Sequence, residues 1–152
     1  MVLNRVFSAL AIAAAAFTAL PAAAQFAKPE DAVKYRQSAM SLLAAHFGRI
    51  GAVAQGRVPF DAAAVQANAD LVVTMSKLPF AAFVDGTAGT EKGRPKANVW
   101  TDRANFDAAA RKMQDEVVKL QAAARSGNLD TVKAAFGPAA GTCKACHDEY
   151  RN

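Results

Sequence analysis

Apolar positions recur with a helical period in four stretches of the chain. From Pro29 to about Ile50, Val33, Met40 and Phe47 fall seven apart with Leu43 and Ile50 between them, the pattern of a helix with one apolar stripe. Pro29 suits its first turn, Glu30 and Asp31 favour the positive end of the helix dipole, and Gly51, Gly56 and Pro59 follow. A second helix is predicted from an N-cap at Asp61 to Leu78, with Val65, Ala69, Val72 and Met75 as its stripe and Pro79 as its stop. The third starts at Thr101 or Asp102 and carries the cleanest stripe: Phe106, Ala110, Met113, Val117, Leu120 and Ala124, before Ser126-Gly127-Asn128 ends it. The fourth places Val132, Phe136, Ala139, Cys143 and Tyr150 on one side, and Gly137-Pro138 is expected to kink or interrupt it. Residues 80–99 follow no period and read as an unusually long loop. No stretch alternates like a strand. The prediction is an all-α fold, an antiparallel up-down-up-down four-helix bundle.

The first 24 residues change the picture of where this bundle works. Arg5 precedes an uncharged apolar run of about fifteen residues, short of the roughly twenty a membrane span needs. Pro21 breaks the run and Ala22-Ala23-Ala24 offers small residues for cleavage before Gln25. Residues 1–24 therefore read as a cleaved secretory signal peptide and 25–152 as one mature domain, exported to a bacterial periplasm. Polar sequence follows at once, so no membrane insertion is expected after the signal is removed. Losing Arg5 lowers the net charge from +5 to +4. Basic residues are scattered among acidic ones, so nothing points to nucleic acid.

Candidate chemistry is concentrated at one place. Both cysteines and one of the two histidines lie in CKACHDEYRN, the last ten residues. Structural zinc needs four ligands; Cys143, Cys146 and His147 offer three, with His46 the only other histidine or cysteine. A redox dithiol belongs at a strand–helix junction, and no strand is predicted. The third chemistry is covalent haem. Two thiols add to the porphyrin vinyl groups, and the histidine that follows lies under the iron as axial ligand. Cys143 and His147 are four apart and share a helix face continuous with the fourth apolar stripe. The macrocycle would then lie inside the bundle, with Gly141, Ala139, Ala140 and Ala145 leaving room. Arg36 occupies a seam position where a leucine would be expected. It needs a buried anion such as a haem propionate, or it snorkels from the end of the seam. Met40 lies one turn beyond it.

The terminal GTCKACHDEYR, KYRQSAM in the first helix, the LPFAAFVDGT turn and NVWTD at the start of the third helix resemble cytochrome c′, the class II c-type cytochromes, over essentially the whole mature chain. That resemblance implies one covalent haem c and a haem-contacting Arg36 with Gln37 beside it. It also implies Phe83 against the porphyrin on its distal side, the alternative being an ordinary core aromatic. Met40 would be a non-bonding plug over a five-coordinate, high-spin iron. The other reading makes Met40 the sixth ligand of a low-spin electron carrier of the cytochrome c-556 kind. Arg151, four after His147, would sit near the proximal pocket, or else favour the helix dipole as a terminal arginine. Trp100 covers a haem edge or the bundle end, and His46 is a surface residue. Residues 86–99 depart from the family pattern, so no haem contact is carried onto them.

The expected function is capture of a small diatomic gas, nitric oxide or carbon monoxide, with electron transfer to a redox partner protein as a further role. An apolar pocket without a hydrogen-bond donor disfavours oxygen, whose bound form carries partial negative charge. By resemblance, nitric oxide would weaken the bond to His147 and end on the proximal side near Arg151, and the protein would form a homodimer through its first helix. No acid–base pair or nucleophile stands out, so an enzyme is not expected.

Overall fold

The computed structural model describes residues 25–91 and 93–152; the predicted signal peptide lies outside them. Helix α1 spans Pro29–Ala54, α2 Ala62–Met75, a 3-10 turn Leu78–Ala82, the short α3 Asn98–Thr101, α4 Arg103–Arg125 and α5 Leu129–Tyr150. The four long helices close a ring: α1 packs on α2, α2 on α4, α4 on α5, and α5 meets α1. This is the expected four-helix bundle. Among the described residues the only β pairing is an isolated antiparallel bridge between Pro95 and Arg151.

Local sequence explains most boundaries. Asp61 accepts a hydrogen bond from the Ala64 amide at 3.0 Å, satisfying one orphan donor of α2. Asn128 does the same for α5, accepting from Asp130 and Thr131. Gly127, at φ 65°, makes the left-handed turn that separates α4 from α5. Three expectations need correction. Helix α1 continues through Gly51 to Ala54, because Gly51 is where Phe136 of α5 packs down; a Cβ there would stand 2.7 Å from that ring. Helix α2 stops at Met75, and Leu78 with Pro79 opens the 3-10 turn instead. Helix α5 runs through Pro138 without interruption.

Two apolar clusters result. The larger joins Leu43, Ile50, Val72, Val117, Leu120 and Val132 across the four helices. The smaller, at one end of the bundle, holds Val99, Phe106 and Tyr150 with Phe80, Phe83 and Trp100 against them. Phe106 is its hub, with ring centroids 4.9 Å from Phe83 and 5.2 Å from Tyr150 in edge contacts. The long loop is thus not free. Its backbone pairs with the end of α5, the Lys96 amide donating to the Tyr150 carbonyl at 2.9 Å and the Asn152 amide to the Arg94 carbonyl at 2.9 Å.

Candidate haem site

Between the two clusters lies a cavity of about 710 Å³ with walls from α1, α4, α5 and the long loop. Its size is in the range of small-molecule and cofactor pockets, roughly 300–1,000 Å³. The α5 wall carries Cys143, Cys146 and His147, and Tyr150 and Arg151 continue it. Spacings of three and four residues put all of them on one helix face. Cys143 packs against the larger cluster and Cys146 against the smaller, so the two thiols straddle the seam between them. The α1 wall supplies Arg36, Gln37, Met40, Leu43 and Phe47, and α4 supplies Phe106, Ala110 and Met113.

The electrostatics favour neutral ligands. Burial pushes the Cys143 thiol up, which its hydrogen bond with Thr142 only partly opposes. Burial and the neighbouring Cys143 push Cys146 up too. Reactive dithiols show the reverse, with thiols lowered by cations or a helix N-terminus. His147 is held below the ordinary histidine range by burial first and then by the Arg151 guanidinium, with Asp148 opposing. A neutral imidazole is what a metal ligand must be. His46, which zinc would require, is elsewhere: its Nδ1 lies 2.8 Å from Asn68 Oδ1 on the α1–α2 side.

Arg36 is 3 % exposed, so it does not snorkel. Nor do the described residues give it an anion. Its Nη1 donates to Thr87 Oγ1 at 2.6 Å and to the Ala82 carbonyl at 3.3 Å, and Nη2 donates to the Thr87 carbonyl at 2.6 Å. Its guanidinium carbon stands 4.9 Å from the Phe83 ring centre. Burial, with a smaller contribution from Arg94, lowers its pKa to about 10. At neutral pH it is therefore a full positive charge on the cavity wall held only by neutral acceptors. Arg94, in the loop behind the lining residues Gly93 and Pro95, went unnoticed in the sequence: its Nε is buried without a hydrogen bond, 3.8 Å from Glu91 Oε2. The loop it belongs to has no periodicity to reveal it. A buried guanidinium without an anion beside an apolar cavity, as Arg36 is, is suited to a carboxylate.

The other candidates fall as follows. Gln37 is exposed at the cavity edge, Met40 is half-buried and faces the cavity, Phe83 lines it while also packing on Phe106, and Arg151 lines it from the end of α5. Trp100 belongs to the cluster at the bundle end and is not a lining residue. Nor do Ala139, Ala140, Gly141 and Ala145 make room: Ala139 is in the core, and Gly141 and Ala145 are exposed. Space comes instead from Ala109, Ala110 and the Ala44 and Gly48 positions of α1. Two thiols and a neutral imidazole on one wall, apolar side chains around them and the Arg36 guanidinium without an anion at one end fit a haem with its carboxylates.

The family model for cytochrome C′ matches residues 31–151. Among curated proteins, the cytochrome c′ of Alcaligenes xylosoxydans xylosoxydans is 53% identical over 127 residues, 84% of this chain and 98% of the relative. That of Rubrivivax gelatinosus is 50% identical over 127 residues with the same coverage. Among solved structures, the nitric oxide complex of a leucine-to-alanine mutant of cytochrome c prime from Alcaligenes xylosoxidans superposes with a TM-score of 0.77 at 51% identity, covering 84% of this chain and 98% of that one. The crystal structure of cytochrome c′ from Rubrivivax gelatinosus gives 0.79 at 49% identity, covering 84% of this chain and all of that one. Half identity sustained along the bundle that builds this cavity leaves one conclusion: the chain belongs to the cytochrome c′ family, whose members carry covalent haem c.

Proposed function

We propose that the protein is a periplasmic cytochrome holding one five-coordinate, high-spin haem c with His147 as its axial ligand, and that it binds nitric oxide and carbon monoxide. When bound, the haem supplies an iron with an open position for a diatomic ligand. Cys143 and Cys146 tether it through thioethers, and His147, neutral at physiological pH, offers its ring nitrogen. Arg36 would hold a carboxylate. The α1 wall does the selecting. Met40, Leu43 and Phe47 exclude water and offer no hydrogen-bond donor, which favours nitric oxide and carbon monoxide over oxygen. Support for the gas ligand comes from the solved nitric oxide complexes of cytochrome c prime from Alcaligenes xylosoxidans. Arg151 lines the His147 side of the cavity and sets the charge felt by a ligand arriving there. The signal peptide supports the periplasm, and no described helix is long and apolar enough to cross a membrane. Exposed Tyr35 and Leu42 on α1 support a homodimer through that helix. An electron-carrying role toward a partner protein follows from the haem.

The observation that carries this reading is Met40, half-buried on the α1 wall of a cavity whose α5 wall holds His147. The same observation sustains a second reading, in which the Met40 thioether ligates the iron in a six-coordinate, low-spin carrier. Absorption spectra separate them. The first reading expects a high-spin ferric spectrum with no thioether–iron charge-transfer band, and Met40→Ala raising carbon monoxide affinity by about tenfold or more, the equivalent of ~1.4 kcal/mol of relieved crowding. A low-spin spectrum that turns high-spin in Met40→Ala establishes the second. Unchanged spectrum and affinity in Met40→Ala would remove Met40 from the iron altogether.

A further inference from the structure

The last four carbonyls of an α-helix have no partner within the helix, and in α5 those are His147 to Tyr150. His147 keeps its own partner, the Arg151 amide at 3.1 Å. The other three are taken largely by one residue of the long loop. Lys96 Nζ donates to the Asp148 carbonyl at 3.0 Å and the Glu149 carbonyl at 3.1 Å, and the Lys96 amide donates to the Tyr150 carbonyl at 2.9 Å. Asn98 Nδ2 adds a second bond to the Glu149 carbonyl at 3.2 Å. The carboxylates nearby are engaged elsewhere, Asp148 with Lys144 and Glu149 with Asn98. The Lys96 ammonium is therefore spent on the negative end of the α5 dipole, within the turn that carries His147.

We propose that Lys96 is a positioning residue for the His147 imidazole: a cap supplied from outside the helix, it suppresses fraying of the last turn of α5 and fixes the ring against the iron. The inference rests on His147 being the axial ligand. Fraying begins at uncapped helix ends, and His147 lies within one turn of this one. Capping from a loop that is also bonded to Arg36 through Thr87 ties the ring to the far wall of the cavity.

The test uses the haem-loaded protein and its Lys96→Met and Lys96→Arg variants. Methionine keeps the stem and the backbone amide bond to Tyr150 and deletes only the ammonium. Expected for Lys96→Met are amide exchange at Arg151 faster by about tenfold or more, an iron–imidazole stretching band that broadens and moves to lower frequency, and a lower midpoint potential, since a positive charge near the iron favours its reduced form. Lys96→Arg restores all three. Faster exchange with an unmoved stretching band and potential reduces Lys96 to a helix cap and overturns the positioning role, as does the absence of any change. A parent protein with no iron–imidazole band at all overturns the axial reading itself, a separate failure.

Discussion

A single methyl group at Gly51 tests how tightly the wall behind the cavity is built. Gly51 is buried inside α1, and an added Cβ would meet Phe136 Cζ at 2.7 Å, Cε2 at 3.2 Å and Cε1 at 3.6 Å. Phe136 has little freedom to retreat, because its ring stacks on Phe47 at a centroid distance of 4.7 Å, and Phe47 is itself a cavity wall. Two opposing effects follow from Gly51→Ala. Replacing glycine in a helix interior stabilises by about 1 kcal/mol. Overpacking a filled core costs about 1–3 kcal/mol. The exposed Gly141 of α5 isolates the first effect, since a Cβ there meets nothing within 4 Å. Gly141→Ala is expected to gain the propensity alone, raising the melting temperature of the haem-loaded protein by about 3–5 °C. Gly51→Ala is expected to melt below Gly141→Ala by about 4–12 °C, the overpacking divided by the unfolding entropy of a domain this size. Thermal unfolding followed by circular dichroism reads both. Equal melting temperatures would refute the argument, because they would mean that the Phe47–Phe136 wall yields without cost.

Two further outcomes concern the cavity itself. Thr87→Val keeps the shape of a side chain that is 1 % exposed but removes the Oγ1 acceptor of Arg36; leaving a buried cationic N–H unmatched is expected to cost about 1.5–3 kcal/mol, measured by denaturant unfolding. In the haem-free chain, burial holds both thiols above their ordinary value, so they stay protonated in the folded state at a pH where the unfolded chain has begun to ionise. The stability they contribute is complete below about pH 9 and is lost as pH rises through the folded values; alkylation at pH 9 as fast in buffer as in denaturant would contradict this.

The sequence made some of this legible and hid the rest for physical reasons. The six-residue stripe of α4 is the buried set of that helix, which packs on both α2 and α5. In α1 the buried positions are Ala32, Arg36, Ala39, Leu43, Ile50, Gly51 and Val53, while Val33, Met40 and Phe47 are only half-buried. Met40 and Phe47 pack against the larger cluster from its edge and face the cavity. The Cys143–His147 motif was readable because its chemistry needs five consecutive residues on a helix. Arg36 stood out as a charge on an apolar seam, yet its partners Thr87 and Ala82 lie 51 and 46 residues away in a segment without period. Arg94 and Lys96 were invisible for the same reason. A loop advertises its length in sequence but not what it reaches.

What that loop reaches explains why the cavity is where it is. Helices α4 and α5 pack closely, as do α1 and α2, but α1 and α5 meet along a much shorter seam. Their facing positions include Ser41, Ala44 and Gly48, too small to fill the space between the helix pairs. The polypeptide closes that seam at its ends, through the Phe47–Phe136 stack at one and the loop bonded to both Arg36 and the last turn of α5 at the other. Between these two clasps the cavity separates much of α1 from α5, with Met40 and Leu43 facing it from α1 and Cys143 from α5. A flat apolar group held on α5 by Cys143 and Cys146, as proposed, would fill that space and complete the core. The same proposal accounts for a guanidinium buried without an anion: Arg36 sits at the clasp, where it would meet the group's carboxylates.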